Sequence, residues 1–222
     1  MLFCCLLGRI EWWRYFKHPP PYPVFASIFA LIVVTFSGFK IRKSLKSIKA
    51  LKLGRDGERA VGQYLDDELR GQGHKIYHDI IGDNFNVDHV IISKKGIFAV
   101  ETKTYSKPKT GQSKIYFDGQ QLTIDALGKT NKPIIQVIAA SKWLKNILQE
   151  TTGKKFAVKP ILLFPGWFIE STKEGKKTNI WVLNPKALPT FLKNQPDIIS
   201  QEDMKLASFH ISRYIRTKQM SV

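Results

Sequence analysis

The residues most suited to chemistry lie between Asn86 and Lys103, in the stretch NVDHVIISKKGIFAVETK. One aspartate, Asp88, sits on a hydrophobic run. After a Lys94–Lys95 turn with glycine, a second hydrophobic run ends in Glu101-Thr102-Lys103. Two hydrophobic runs separated by such a turn read as antiparallel strands, Asn86–Ser93 and Gly96–Lys103. With the turn centred on Lys94–Lys95, Asp88 falls opposite Glu101. Lys103, two residues further on, points to the same face. Opposed carboxylates have Cβ atoms roughly 4.5–5.5 Å apart, a distance at which like charges destabilise a sheet. Such a pair calls for a cation. Lys103 supplies part of that charge, and a divalent metal supplies it better. All-oxygen donors suit Mg²⁺ or Mn²⁺. A partly buried salt bridge of Asp, Glu and Lys is the competing account of the same residues.

The chemistry this arrangement fits is metal-assisted hydrolysis of a phosphodiester. Asp88 and Glu101 would hold the ion, with the Thr102 carbonyl as a further ligand from the same strand. Lys103 would orient the attacking water or offset transition-state charge. His78 and His89 are not needed, because strand alternation turns His89 away from Asp88 and packing accounts for it. No G-x-x-x-x-G-K-[ST] phosphate loop and no G-x-S-x-G elbow occurs, which disfavours nucleotide motors and serine hydrolases.

Elements that would position these groups are legible on either side. Gly54–Arg70 has Val61, Leu65 and Leu69 at helical spacing, and Lys75–Ile81 reads as a strand. Segments 113–117 and 121–124 bracket Asp118-Gly119, a hairpin signal. Pro133–Leu148 reads as a helix opened by proline. Val158–Phe164 and Ile180–Leu183 read as strands, and Pro185–Lys193 and Glu202–Thr217 as helices. Lys173–Lys177 reads as a hairpin tip. The order implies a mixed α/β sandwich.

Four pieces in this order resemble the nuclease-related domain family (NERD), a branch of the PD-(D/E)XK, restriction-endonuclease-like superfamily. They are Gly57-Glu58-Arg59-Ala60-Val61, Val87-Asp88-His89-Val90, Gly96 through Lys103, and Asn131-Lys132-Pro133-Ile134-Ile135-Gln136. The resemblance runs from about Gly54 to Pro165. It departs from the family's pattern where Lys132 stands between Asn131 and Pro133. The resemblance implies a restriction-endonuclease-like mixed-sheet sandwich. It also implies a role for Glu58 in reaching the metal or its waters, and a supporting hydrogen-bonding role for Gln136. A solvent-facing helix glutamate and a first-turn polar residue are the plainer readings of those two.

The chain has 222 residues, 43% hydrophobic and 24% charged, with a formal charge of +17. That composition is globular, and the charge suits an anionic partner: nucleic acid, DNA above all, or anionic membrane lipids. Lys107, Lys109 and Lys114 interleave with Tyr105, Tyr116 and Phe117, as a phosphate track with base stacking would. Both cysteines, Cys4 and Cys5, stand near the first residue, so no disulfide joins the remainder.

Tyr22–Phe39 carries no charge, and eighteen helical residues span about 27 Å, close to a bilayer's hydrocarbon thickness. Trp12, Trp13, Tyr15, Phe16 and Tyr22 read as interfacial aromatics. Ile41–Leu53 reads as a basic amphipathic helix, either on anionic lipid or as a solvated linker. The expected organisation is an aromatic and basic segment (1–21), a transmembrane helix (22–39), a juxtamembrane helix (40–53), a nuclease-like core (54–165) and C-terminal strand and helices (166–222). The lysine and arginine excess after residue 39 implies a single-pass protein with its main domain in the cytoplasm.

Overall fold

The computed structural model describes residues 2–17, 23–82, 85–108, 113–125 and 127–220. The expectations for Tyr22 and Lys109, and for the side chains of Cys4 and Cys5, lie outside the described residues. The chain divides into two compact units, Met1–Ala50 and Leu51–Val222.

The first unit holds helix α1 (Leu2–Lys17) and the opening of α2 (Pro23–Leu69), a continuous 47-residue helix. Here the structure corrects the sequence reading. The charge-free stretch is not a separate span. It is the start of a helix that runs on through Lys40, Arg42, Lys43 and Lys46 to Leu69. Among the described residues, no helix is long and apolar enough to cross a membrane. The transmembrane helix of the expected fold, the single-pass placement and the cytoplasmic orientation inferred from it are overturned. Lipid as a partner loses its basis with them.

The second unit is a mixed α/β fold with two mixed sheets. Its elements are the remainder of α2, then β1 (Lys75–Ile81), β2 (Asn86–Ser93), β3 (Gly96–Thr102), β4 (Lys114–Phe117), β5 (Leu122–Ile124), β6 (Gly128–Thr130), α3 (Lys132–Thr152), β7 (Val158–Leu163), β8 (Phe168–Ser171), α4 (Lys173–Lys177), β9 (Trp181–Leu183), α5 (Leu188–Lys193) and α6 (Gln201–Gln219). The larger sheet has the order β1-β2-β3-β7-β9, with β1, β2 and β3 antiparallel and β3, β7 and β9 parallel. The smaller has the order β6-β5-β4-β8.

Central strand β3 is buried along its whole length. Its residues alternate between two cores, as a period of two requires. Ile97 and Ala99 join Val90 and Ile92 of β2 beneath Ala140, Leu144 and Leu148 of α3 and Met204, Ala207 and Ile211 of α6. Phe98 and Val100 face the other way, onto Val61, Leu65 and Leu69 of α2 and Leu188 and Leu192 of α5. Ile115, Phe117, Leu122 and Ile124 of the smaller sheet pack with Ile134 and Val137 of α3 and Leu162 of β7.

Three short elements depart from the sequence reading, the first being β6, which pairs with β5. Strand β8 pairs in parallel with β4, a long-range partnership with no local signal. Lys173–Lys177 is a short helix and not a hairpin tip: Thr172 caps it by accepting the Gly175 amide at 3.0 Å.

Candidate functional site

The β2–β3 register places His89 against Val100, Val90 against Ala99 and Ser93 against Gly96. Extended by one residue, it sets Asp88 across from Glu101, but the backbone ladder stops at His89 and Val100. The Lys103 amide bonds Leu163 O of β7 at 2.9 Å, so by alternation the Thr102 amide faces β2. There Asp88 Oδ2 accepts it at 2.7 Å. The aspartate side chain stands where a strand carbonyl would otherwise be.

By alternation from Ile97 and Ala99, Glu101 turns toward the face covered by α3, whereas at Asp88 the alternation is interrupted, Val87 and Val90 both joining that same core. Lys103 Nζ donates to Glu101 Oε1 at 2.6 Å. Glu101 is 1% exposed, and its Oε2 is buried with no hydrogen-bond partner among the described residues. Burial, with Glu101 nearby, pushes the Asp88 carboxyl up to about 7. Burial raises Glu101 too, against the lowering pull of Lys103. Gln136, in the first turns of α3, is near enough to Glu101 to lower its pKa, though no well-formed bond reaches Oε2. The extra Lys132 occupies the first position of the helix, with Pro133 next, where neither breaks it.

Glu58 comes from the helix on the opposite face. A Cβ on Gly57 would lie 1.9 Å from Thr104 Oγ1, so glycine lets α2 touch the chain just past β3. That contact sets Glu58 near the charges at the strand end. Burial raises its pKa, Lys103 opposes the rise, and Asp79 adds to it. Lys103 therefore interacts with all three carboxylates.

Asp79 is a residue the sequence reading missed. It lies on β1 at the one step missing from the β1–β2 pairing, between His78–His89 and Ile80–Val87, which is the position facing Asp88. Its φ of 50° is left-handed, a conformation that aspartate tolerates better than most residues. An acidic residue inside the apolar strand KIYHDII was the available signal. The backbone twist was not visible in it.

His78 and His89 lie on the α2 face, away from Asp88. Their Nδ1 atoms are 2.8 Å apart, and His78 Nε2 lies 3.1 Å from Asp66 Oδ1. Burial holds His89 down to about 3, so it is neutral. The expected aromatic track is altered. Phe117 is in the core, and Tyr105 stacks on Phe164, ring centroids 5.9 Å apart.

Among the described residues, no group of three or more His, Cys, Asp or Glu side chains is placed to hold a metal. The site offers instead an open set of donors: two carboxylates, one with a bare oxygen, and the Thr102 carbonyl. A strand residue's carbonyl and amide point the same way, so this carbonyl faces the Asp88 side. Such a set fits a small hard cation that keeps most of its water.

The sequence model described as nuclease-related domain matches residues 53–165, just over half of the chain. Similar solved structures include a repair endonuclease from Pyrococcus abyssi, at 18% identity and a TM-score of 0.32, covering 59% of this chain and 47% of that one. SfsA of Pyrococcus furiosus in complex with Ca²⁺ is similar at 14% identity and a TM-score of 0.30, covering 58% and 55%. The chain thus spans about half the length of each, and at these scores neither likeness bears on function. No curated protein matches the chain.

Proposed function

Because this chain belongs to the nuclease-related domain family, we propose that it hydrolyses phosphodiester bonds of nucleic acid, DNA in the first instance, with Mg²⁺ or Mn²⁺ bound by Asp88, Glu101 and the Thr102 carbonyl. The observation that carries this reading is the pairing of Lys103 with one oxygen of Glu101 while the other, buried, has no partner. A divalent ion there would polarise the scissile phosphate and lower the pKa of a bound water. The chain's own residues do the rest. Lys103 places a positive charge where negative charge gathers on the phosphorus oxygens. The Thr102 amide fixes the Asp88 carboxylate in orientation. Glu58, close to Lys103, is placed to accept a hydrogen bond from a water at the strand end. Gln136 lies beside Glu101 on the opposite flank.

The test is a cleavage assay on the full chain with labelled DNA and RNA, with Mg²⁺, with Mn²⁺ and with EDTA. Metal-dependent cleavage that disappears in Asp88→Asn supports the reading. Cleavage unchanged in that variant sinks it. A second reading, a non-catalytic nucleic-acid-binding module, is favoured by one observation: Asp88 and Glu101 already hold partners without metal, through Thr102 and Lys103. Salt-sensitive binding without cleavage in any metal would select it.

A further inference from the structure

Strand β9 forms one edge of the larger sheet and β8 one edge of the smaller. Residues from both line a groove of about 880 Å³, built after Pro165 and so beyond the stretch that matches the family. Grooves of roughly 300–1,000 Å³ accommodate planar organic groups. This one is aromatic and basic. Phe168 is 62% exposed and Phe191 41%. Trp181 meets Phe191 edge-on, centroids 5.4 Å apart. Lys114 Nζ lies 5.8 Å above the Phe168 ring, and Lys159 Nζ 4.3 Å above Trp181. Lys176 and Lys186 line the groove, against a single carboxylate, Glu170.

Its location ties it to the carboxylate site. Thr102 pairs with Leu163, which pairs with Leu183, all in parallel. The groove residues Leu183 and Asn184 therefore lie at the same strand end as Glu101 and Lys103, two strand spacings or about 10 Å away. Asn184 Nδ2 donates to Trp167 O at 2.9 Å, and Trp167 Nε1 donates to Tyr105 O at 3.4 Å. The groove wall is thus fastened to the segment that leaves Lys103. Lys107 crosses over Gly166, where a Cβ would meet its Cε at 2.9 Å. Its ammonium lies beside Gly166, which directly precedes Trp167 of the groove wall.

We propose that this groove receives the unpaired bases of a single-stranded nucleic acid whose phosphates run across Lys107 to the Asp88–Glu101–Lys103 site. The proposal rests on the nuclease reading and adds the substrate class. Every base has a π-face, so exposed aromatic rings bind single strands with little regard to sequence, while lysines hold the backbone. A duplex keeps its bases stacked on one another and offers the groove nothing but phosphate. An extended peptide on the open edge of β8 or β9 is the competing occupant. The surplus of lysine over carboxylate and the shared strand end favour nucleic acid.

The test is fluorescence anisotropy on the full chain in EDTA, so that binding is read without cleavage. Probes are oligo(dT) and oligo(U) of about 16 nucleotides, a duplex of equal length and an acidic peptide. In Phe168→Ala/Phe191→Ala, affinity for one or both single strands should fall about tenfold or more, with duplex affinity unchanged. Phe168→Tyr/Phe191→Tyr should restore it. Undiminished single-strand affinity in the alanine variant overturns the proposal, as does equal loss on the duplex. So does peptide binding that the alanine variant loses while single strands never bind. A wild type that binds neither strand nor duplex refutes the nuclease reading itself, a result separate from any of these.

Discussion

Asp88 stands one residue beyond the last backbone pair of β2 and β3, and its carboxylate takes the Thr102 amide at 2.7 Å. The strand pair ends at that point because a side chain has replaced a carbonyl. A carboxylate held this way has lost most of its rotamer freedom before any ligand arrives. It is also half-buried beside Glu101, and so resists ionising. The proposed metal role of Asp88 rests on these two effects.

Asp88→Asn should reduce metal-dependent cleavage to background while the thermal midpoint stays near or above the wild-type value. The amide oxygen can still accept the Thr102 N–H, and the buried charge is gone. Parallel cleavage and melting measurements check both halves. A collapse of the midpoint would assign Asp88 to structure alone.

Without metal, the Asp88 contribution to stability should fall as pH rises. The Asp88 pKa is raised from 3.8 to about 7, so between those values the folded state holds a proton that the unfolded state has released. The stabilisation is complete below about 4 and lost as pH rises through about 7. Below about 6.5 the His89 contribution runs the opposite way, so the check is a difference: in EDTA, the melting temperature of the wild type relative to Asp88→Asn should decline from pH 4 to 8. Added Mg²⁺ should stabilise increasingly as pH passes about 7, because it favours the ionised pair.

Lys103→Ala should slow cleavage by on the order of 10²–10³-fold, the usual loss when one charge-stabilising group is removed. Metal binding should survive. Glu101 would be left buried without its cation, so the metal-free protein should lose about 1–3 kcal/mol. Titration calorimetry with Mn²⁺ tests the binding. A variant that loses metal and activity together would place Lys103 in metal binding and not in the chemical step.

Gly57→Ala should cost about 1–3 kcal/mol through overpacking, since its Cβ would meet Thr104 Oγ1 at 1.9 Å and Thr104 Cβ at 2.8 Å. It should also displace Glu58 and slow cleavage. Thr104→Gly removes both obstructing atoms and should recover much of the loss in the double variant. If the two changes simply add, the helix is not seated on Thr104.

His89→Gln should make the protein more resistant to acid. The imidazole is held from 6.5 down to about 3 by burial and by His78. Its stabilisation is full above about 6.5 and is lost as pH falls toward 3, where the unfolded chain gains a proton that the folded one refuses. Acid unfolding followed by circular dichroism should show the variant's midpoint at lower pH.

Much of this was written in local pattern. The alternating runs on either side of Lys94–Lys95 set the register of the β2–β3 hairpin, from Ser93 against Gly96 to His89 against Val100. The resemblance pointed to Glu58 and Gln136. Strand β8 was not legible, because a four-residue strand declares itself only through its distant partner β4. Nor was the fate of residues 23–69. A charge-free window looks self-contained in sequence, yet helical hydrogen bonding carries on past Lys40 with nothing to stop it. Phe117 and Phe168 are both aromatic residues on short strands, and sequence gives no means of telling them apart. Packing buries the first and leaves the second exposed beside Lys114. The hydrophobic period thus determined which residues share a face. Long-range pairing alone decided what each face meets, and that is why the β2–β3 hairpin was visible in the chain and the groove was not.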